Sequence, residues 1–563
     1  MHKKAVCLTT AFILIINILF AQTTYLPLNT EDYHTLDRLE TRSGRLSDSL
    51  FLSTKEAMRS RTVYFLGQQK RNTGDTNLSA IDRYNIDQML SENGEWTADE
   101  NGAIDSKRAW FNAFYKKQYD FVHVNADNLF LVINPVISAE VYSERNNNRS
   151  LFWSARGFEA RGWIAKKIGF YTRVTDNQEK DVSFADVWVR LHNGYSAVPG
   201  ANYYQGQQTG LYDYFLAAAY FDFAIIKNHL NATFGYDKHF IGDGLTSMFL
   251  SDFSASTPFL KLNTRIWKLN YENLYLELAP EFAGTPDHLK PHKYCTIQHL
   301  SINATRWLNF GLFESVVFDR TDGYEIRYLN PVIFLGEAEQ SIGSPDKKHI
   351  GFDFKAIAAK HLQFYGQFML DEFKSKNFFS NNGWWGNKWA LQLGCKYFDA
   401  FTVKNLDLQL EVNAVRPYTY THYDTIANFT NYNQPMANPL GADFVQLIGV
   451  AKYQATKKLF LTLKGMYYVQ GADTGAADFG SNIFLSYNDR SMEYGVKLIN
   501  GVRTHCTIMN LNASYQLRPN LFIDLGATNR SYVSEYSGIP SVSTTYFYGG
   551  FRLNIARRDL DFY

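Results

Sequence analysis

Four sets of side chains have types and spacings that chemistry could use. Asp237, His239 and Asp243 lie within seven residues, a carboxylate and imidazole spacing that could ligate a metal. The same stretch holds Gly242 and Gly244, and aspartates beside glycines also describe a tight turn. The turn reading is preferred, and no metal is expected. Trp384, Trp385 and Trp389 stand among Asn381, Asn382 and Asn387, pairing rings on which a sugar face could stack with amides that hydrogen-bond hydroxyls. Tyr418, Tyr420, His422 and Tyr423 repeat that make-up, as do Tyr203 and Tyr204. All of these rings would equally serve as a membrane-interface girdle or as loop packing. The candidate sugar-stacking residues are therefore Trp384, Trp385, Tyr418, Tyr420, Tyr203 and Tyr204. Asp371 with Glu372, and Asp319 with Asp322, could supply paired carboxylates for glycoside hydrolysis. Such neighbours at strand ends more often form a solvated rim. The chain has no Gly-x-Ser-x-Gly, no His-Glu-x-x-His and no phosphate-cradling loop. No catalytic residue, cofactor or enzymatic activity is assigned.

The elements that would position these residues are mostly strands. In Leu406–Val415 the even positions are apolar (Leu406, Leu408, Leu410, Val412, Ala414), and Asp407, Gln409, Glu411 and Asn413 are polar. A strand crosses a bilayer in roughly 9–11 residues, which this run supplies. Phe398 and Phe401 before it and Tyr418 and Tyr420 after it stand where interfacial girdles would be. The same alternation recurs in Leu459, Leu461, Leu463 and in Leu511, Ala513, Tyr515, Leu517. From residue 130 onward about eighteen such strands are predicted, joined by connections alternately short and long, as in outer-membrane barrels. An added hairpin over 483–500 would raise the count to about twenty and keep it even. The last strand, 544–555, puts Phe547, Phe551 and Leu553 on one face, and a polar stretch from Ala556 follows it.

The N-terminus reads as an export signal. His2, Lys3 and Lys4 precede an apolar segment over 5–20 and then Ala21, after which cleavage is expected. No later apolar run reaches the length of a membrane-spanning helix. Cys295, Cys395 and Cys506 are scattered, with neither disulfide nor metal spacing. The 56 basic and 55 acidic residues nearly cancel, so nucleic acid is not expected as a partner. Aromatics at 16% suit girdles and sugar-facing surfaces. Helical spacing appears over 31–46, 54–69 and 78–91, with Ser53–Thr54 and Asp75–Thr76 as caps. The fold class that follows is an all-β transmembrane barrel with a small N-terminal helical plug. Its divisions are a signal peptide (1–21), a helical region (22–110) and an outer-membrane barrel (111–563).

Longer blocks carry a family resemblance. The segment 235–244, GYDKHFIGDG, the tetrad PFLK at 258–261, YLNPV at 328–332, NGWWGN at 382–387 and VRPY at 415–418 resemble the Bacteroidota branch of the capsule assembly Wzi family. That branch includes the gliding-motility RemB proteins. The resemblance implies a plugged outer-membrane barrel that binds or anchors surface polysaccharide, with outer-membrane lipid around it. It further implies a contribution to gliding and partners in motility or secretion machinery. The alternative is a plugged porin-like channel.

Overall fold

The computed structural model describes residues 23–71, 78–97, 105–106, 113–191, 197–206, 210–280, 291–320, 323–332, 335, 342–343, 346–372, 376–377, 382–475 and 477–561. The expected signal peptide lies outside them. Eighteen antiparallel strands form the barrel wall. They are β1 (Leu129–Glu144), β2 (Leu151–Ile164), β3 (Ile168–Lys180), β4 (Tyr212–Ile226), β5 (Leu230–Asp237) and β6 (Thr257–Ile266). Then come β7 (Leu269–Leu278), β8 (Lys293–Asn303), β9 (Leu308–Asp319), β10 (Lys347–Ala358), β11 (Leu362–Glu372) and β12 (Lys388–Tyr397). The last six are β13 (Leu406–Val415), β14 (Phe444–Gln454), β15 (Leu459–Ala472), β16 (Val502–Arg518), β17 (Leu521–Ser534) and β18 (Val542–Leu553). β18 pairs back onto β1, from Ile137 against Leu553 to Glu144 against Tyr546. A short strand, Val122–Ala126, pairs the lower part of β1. Closure satisfies the backbone groups that hydrocarbon would otherwise strand, at several kcal/mol each.

The wall is polar inside and apolar outside. On β13, Leu410 is 53% and Val412 41% exposed, whereas Asp407, Glu411 and Asn413 are buried. A water-soluble sheet would reverse that order, so the outer face meets lipid and the inner face meets a packed interior. On β18, Phe547 and Phe551 face outward and Tyr546 and Tyr548 inward. The predicted girdle around β13 needs correction, because only Phe401 is exposed. Phe398, Tyr418 and Tyr420 are buried, their rings packed against interior partners.

Connections segregate by length. At one end the chain turns within a few residues, as at 165–167, 227–229, 359–361 and 519–520; at the other it makes excursions such as 238–256, 320–346, 416–443 and 473–501. The extra hairpin over 483–500 does not form; that stretch holds a 3-10 turn, Tyr487–Asp489, and no strand.

Three helices stop the short-turn end: α1 (Glu31–Ser43), α2 (Arg59–Arg71) and α3 (Ala80–Glu92). Their apolar faces meet in one cluster that includes Leu36, Leu39, Phe65, Leu66 and Ile86. The cap of α3 is Ser79, in a capping box with Asp82. Thr54 caps nothing, because it forms a β-bridge to Ile241, and α2 starts later, at Arg59. A fourth helix, α4 (Ser183–Leu191), lies in the outer connection after β3.

One excursion runs down the outside of the wall. Register sets Asn273, Gln298 and Glu314 side by side on the lipid-facing side of β7, β8 and β9, between Leu262 and Ile350. These strands are 10, 11 and 12 residues long, so the polar row sits near mid-membrane. All three side chains are nevertheless buried. The connection after β9 straps over them: Gln298 Nε2 donates to Asn330 O at 2.7 Å, and Leu335 N donates to Glu314 at 2.8 Å. Tyr275 adds a bond to Leu329 O at 3.1 Å. The strap turns Ile326 (78% exposed) and Val332 (60%) away from the wall, restoring an apolar exterior.

Candidate functional site

The inner wall grips the outer loops through polar side chains that alternation places on its lumen face. Glu411 of β13 accepts from Leu245 N and Thr246 Oγ1, both at 2.7 Å, and from Tyr365 OH at 2.9 Å. Gln392 Nε2 donates to Thr246 O at 2.9 Å, and Gln367 Oε1 accepts from Met248 N at 2.8 Å. Loop 238–256 is thereby drawn into the barrel, where Phe249 stacks on Phe313 at 4.2 Å. The glycine at 244 is needed for this approach, since a Cβ there would sit 2.6 Å from the Glu411 carboxylate. Loop 416–443 follows it in. Tyr420 OH donates to Met248 O at 2.9 Å, and Lys293 Nζ donates to Asn428 O and Thr430 O at 2.5 and 2.7 Å.

Asp237, His239 and Asp243 do not converge. His239 Nδ1 lies 2.5 Å from Glu56 of the helical region, which also pairs with Lys261. Asp243 lies 3.1 Å from Lys355, and Asp237 accepts from Lys238 N at 2.8 Å. Among the described residues no three His, Cys, Asp or Glu side chains group as a metal would require. The Asp371 carboxylate is shared by Lys347 and Tyr420 N, while Glu372 pairs with Lys388. Both acids are held by cations rather than set across a sugar bond. Asp322 lies outside the described residues.

Trp384, Trp385 and Tyr418 come together at the long-loop end, joined by Tyr487, Met492 and Val496 from loop 473–501. Glu493 orients both indoles, accepting from Trp384 Nε1 at 3.2 Å and Trp385 Nε1 at 3.1 Å. The Trp385 ring lies 4.8 Å from Tyr487, with the Arg490 guanidinium at 4.4 Å and the Lys388 ammonium at 4.8 Å. It is 7% exposed. Neither tryptophan offers an open stacking face, and the pair forms the floor of the cluster. Asn382 Oδ1 caps Trp384 N at 3.0 Å; Asn381 lies outside the described residues. Trp389 is on the outward face of β12, opposite Leu370.

Tyr420 separates from that cluster and points into the lumen, stacked on Phe429 at 5.8 Å. Tyr204 leans edge-on against Tyr212 at 5.7 Å. The open rings are Tyr203, at the rim of loop 197–206, and Tyr423, 43% exposed and 4.3 Å from His422. Tyr423 is backed by Tyr487 at 6.4 Å, which ties it to the tryptophan floor. Tyr487, Arg490 and Glu493 escaped sequence reading because they lie in the stretch whose pattern suggested a hairpin, about a hundred residues from the indoles they hold.

No family model matches the chain, and no curated protein matches it. Among solved structures, Wzi of Escherichia coli, described as an outer membrane protein involved in group 1 capsule assembly and a carbohydrate-binding β-barrel, superposes with a TM-score of 0.55 at 11% identity, covering 95% of this chain and 100% of that one. OprD of Pseudomonas aeruginosa gives 0.42 at 10% identity, over 76% and 94% of the two chains. OccK8 (OprE) of the same organism gives 0.42 at 8%, over 75% and 98%. The fold is that of outer-membrane barrels.

Proposed function

We propose that this chain is a non-enzymatic outer-membrane barrel that binds and anchors polysaccharide at the cell surface. The observation that carries this reading is the use of the lumen. Helices stop one end, and two long loops are bonded to the inner wall at the other, so the interior serves as a foundation for the loops. A scaffold that fixes loops this firmly suits recognition. On it stands a ring layer whose buried floor is Trp384, Trp385 and Tyr418 and whose open ring is Tyr423, with Tyr203 at a neighbouring rim. Exposed tyrosine rings beside amides and charged groups are the chemistry of sugar recognition. The description of E. coli Wzi as carbohydrate-binding agrees with this. The porin-like alternative is disfavoured by the same filled lumen. Any part in gliding, and any contact with motility or secretion machinery, would act through the retained glycan.

The test is a glycan array probed with detergent-purified protein, followed by gene deletion. Binding by wild type, weakened by Tyr423→Ala, and release of polysaccharide into the medium on deletion are expected. Unchanged retention of polysaccharide on the deleted cells would overturn the anchoring role.

A further inference from the structure

The three helices do not fill the barrel evenly. The bonds of the helical region to the wall run mainly round β4 to β14, with one more to β2, where Arg161 donates to Glu92 O at 2.7 Å. Tyr25 meets Asp222 and Thr233, Glu56 meets Lys261, Asp37 meets Lys355 and Lys396, Arg38 meets Asp407, and Asn85 meets Gln454. The sector made by β15 to β18 with the upper parts of β1 and β3 is met by a different piece of chain, the polar stretch after the last strand.

At Asn554 the backbone takes φ +54° and turns out of the wall into the lumen. Asn554 Nδ2 donates to Pro135 O at 2.8 Å, and Arg173 donates to Asn554 O at 3.3 Å, which fixes the turn between β1 and β3. Beyond it, Arg558 bonds to Glu179 and, at 3.1 Å, to Asp181, two carboxylates whose side chains have no exposure to solvent. Lys464 of β15 pairs with Asp561 and lies 3.6 Å from Asp559. Leu560 is buried among Tyr142, Trp153, Phe184 and Tyr546. Residues 555–561 thus span the lumen from β3 to β15, pinned at each side by ion pairs. Space remains on both flanks. A narrow cleft with room for about one water lies between this segment and the wall, lined by Glu140, Asn510, Thr528 and Tyr548 among others. A second, with room for roughly three waters, opens between α1 and β13 to β15 beside His34, Asn405 and Lys452.

We infer that residues 555–561 are a second stopper, separable from the helices, which closes an aqueous path for ions and small hydrophilic solutes along β14 to β18. An eighteen-strand wall is wide enough for such a path beside a partial plug. The segment is held by ion pairs and one buried leucine, so reversing charges on it releases it without touching the wall's backbone. The inference stands whether or not the loops bind glycan.

The experiment is single-channel recording in planar bilayers on the full chain, wild type against Arg558→Glu with Asp561→Lys. This pair sets like charges against Glu179, Asp181 and Lys464 and keeps every residue of the segment. Discrete conductance steps absent from wild type are expected with the helices still in place. A second variant, Arg558→Lys with Asp561→Glu, keeps both charges and should stay as silent as wild type. Folding of each is checked by strand content in circular dichroism. A folded charge-reversed protein that passes no more current than wild type overturns the inference. So does a charge-retaining variant that conducts as the charge-reversed one does.

Discussion

Arg38 shows how much a single residue of α1 can hold. Its guanidinium meets Asp82 at 2.7 Å, Asp399 at 2.6 Å and Asp407 at 2.5 Å, tying a neighbouring helix, an inner turn and β13 to one side chain that is itself buried. Arg38→Met leaves those carboxylates facing one another, and removal of one partner from a buried ion network costs about 3–5 kcal/mol. The expected outcome is a lower melting temperature for the helical region and faster proteolysis within α3, with the barrel intact by circular dichroism. Asp399→Asn should cost less, since Arg38 keeps two anions. In the loops, Trp385 and Tyr423 separate support from contact. Trp385→Ala removes a buried ring wedged between Tyr487 and two cations, a loss of about 3–5 kcal/mol, and should appear as protease cleavage within loop 473–501. Tyr423→Ala should leave proteolysis unchanged and weaken glycan binding alone.

At the scale of elements, the seating of α1 depends on acidity. Glu31 sits among neighbouring groups but keeps about half its side chain in solvent, and Lys452 and His34 draw its carboxyl down from 4.5 to about 2. Asp37 is likewise held below the carboxylate range, burial being outweighed by Lys396 and Lys355. A carboxyl held low in the folded state contributes its full stabilisation above its ordinary value and loses it as pH falls through the lowered one. Asp32 acts in the opposite sense, since burial and the nearby Glu92 raise it, and its contribution fades as pH rises. Proteolysis of α1 should therefore accelerate as pH drops from 4.5 toward 2, with the wall unchanged. The outer strap is a second element with a distinct dependence. Deleting residues 324–332 bares the row Asn273, Gln298, Glu314 to acyl chains, where a polar side chain near the midplane is destabilising. A lowered unfolding midpoint in urea is expected, and replacing all three by leucine should recover much of it.

For the whole molecule, one lumen is filled from three directions: helices at the short-turn end, two loops at the long-loop end, and the segment after β18 along one side. The helical region and loop 238–256 share Lys355 and Lys396 and meet directly through Glu56 and His239, whereas the segment after β18 bonds to β3 and β15. Removal of the helices alone should leave the loops gripped by Glu411, Gln367 and Gln392. A glycan array on a variant lacking residues 23–97 should then retain binding.

Period-2 alternation is a property of neighbouring residues, so the faces of β13, β16 and β18 could be read from the chain alone, as could eighteen strands and a segregation of short and long connections. The three helices were legible for the same reason, though their starts shifted by a few residues where Thr54 found a strand partner and Ser79 a capping box. Pairings across the lumen were not legible, because Glu56 and Lys261, Arg38 and Asp407, or Arg558 and Glu179 are separated by hundreds of residues and meet only once the wall has closed. The same holds for Trp384 and Trp385. Local composition marks them as rings for sugar, and only the arrival of Tyr487, Arg490 and Glu493 decides that they become the floor. Which polar residues face lipid, and what shields them, is likewise decided by a strap that no alternation announces.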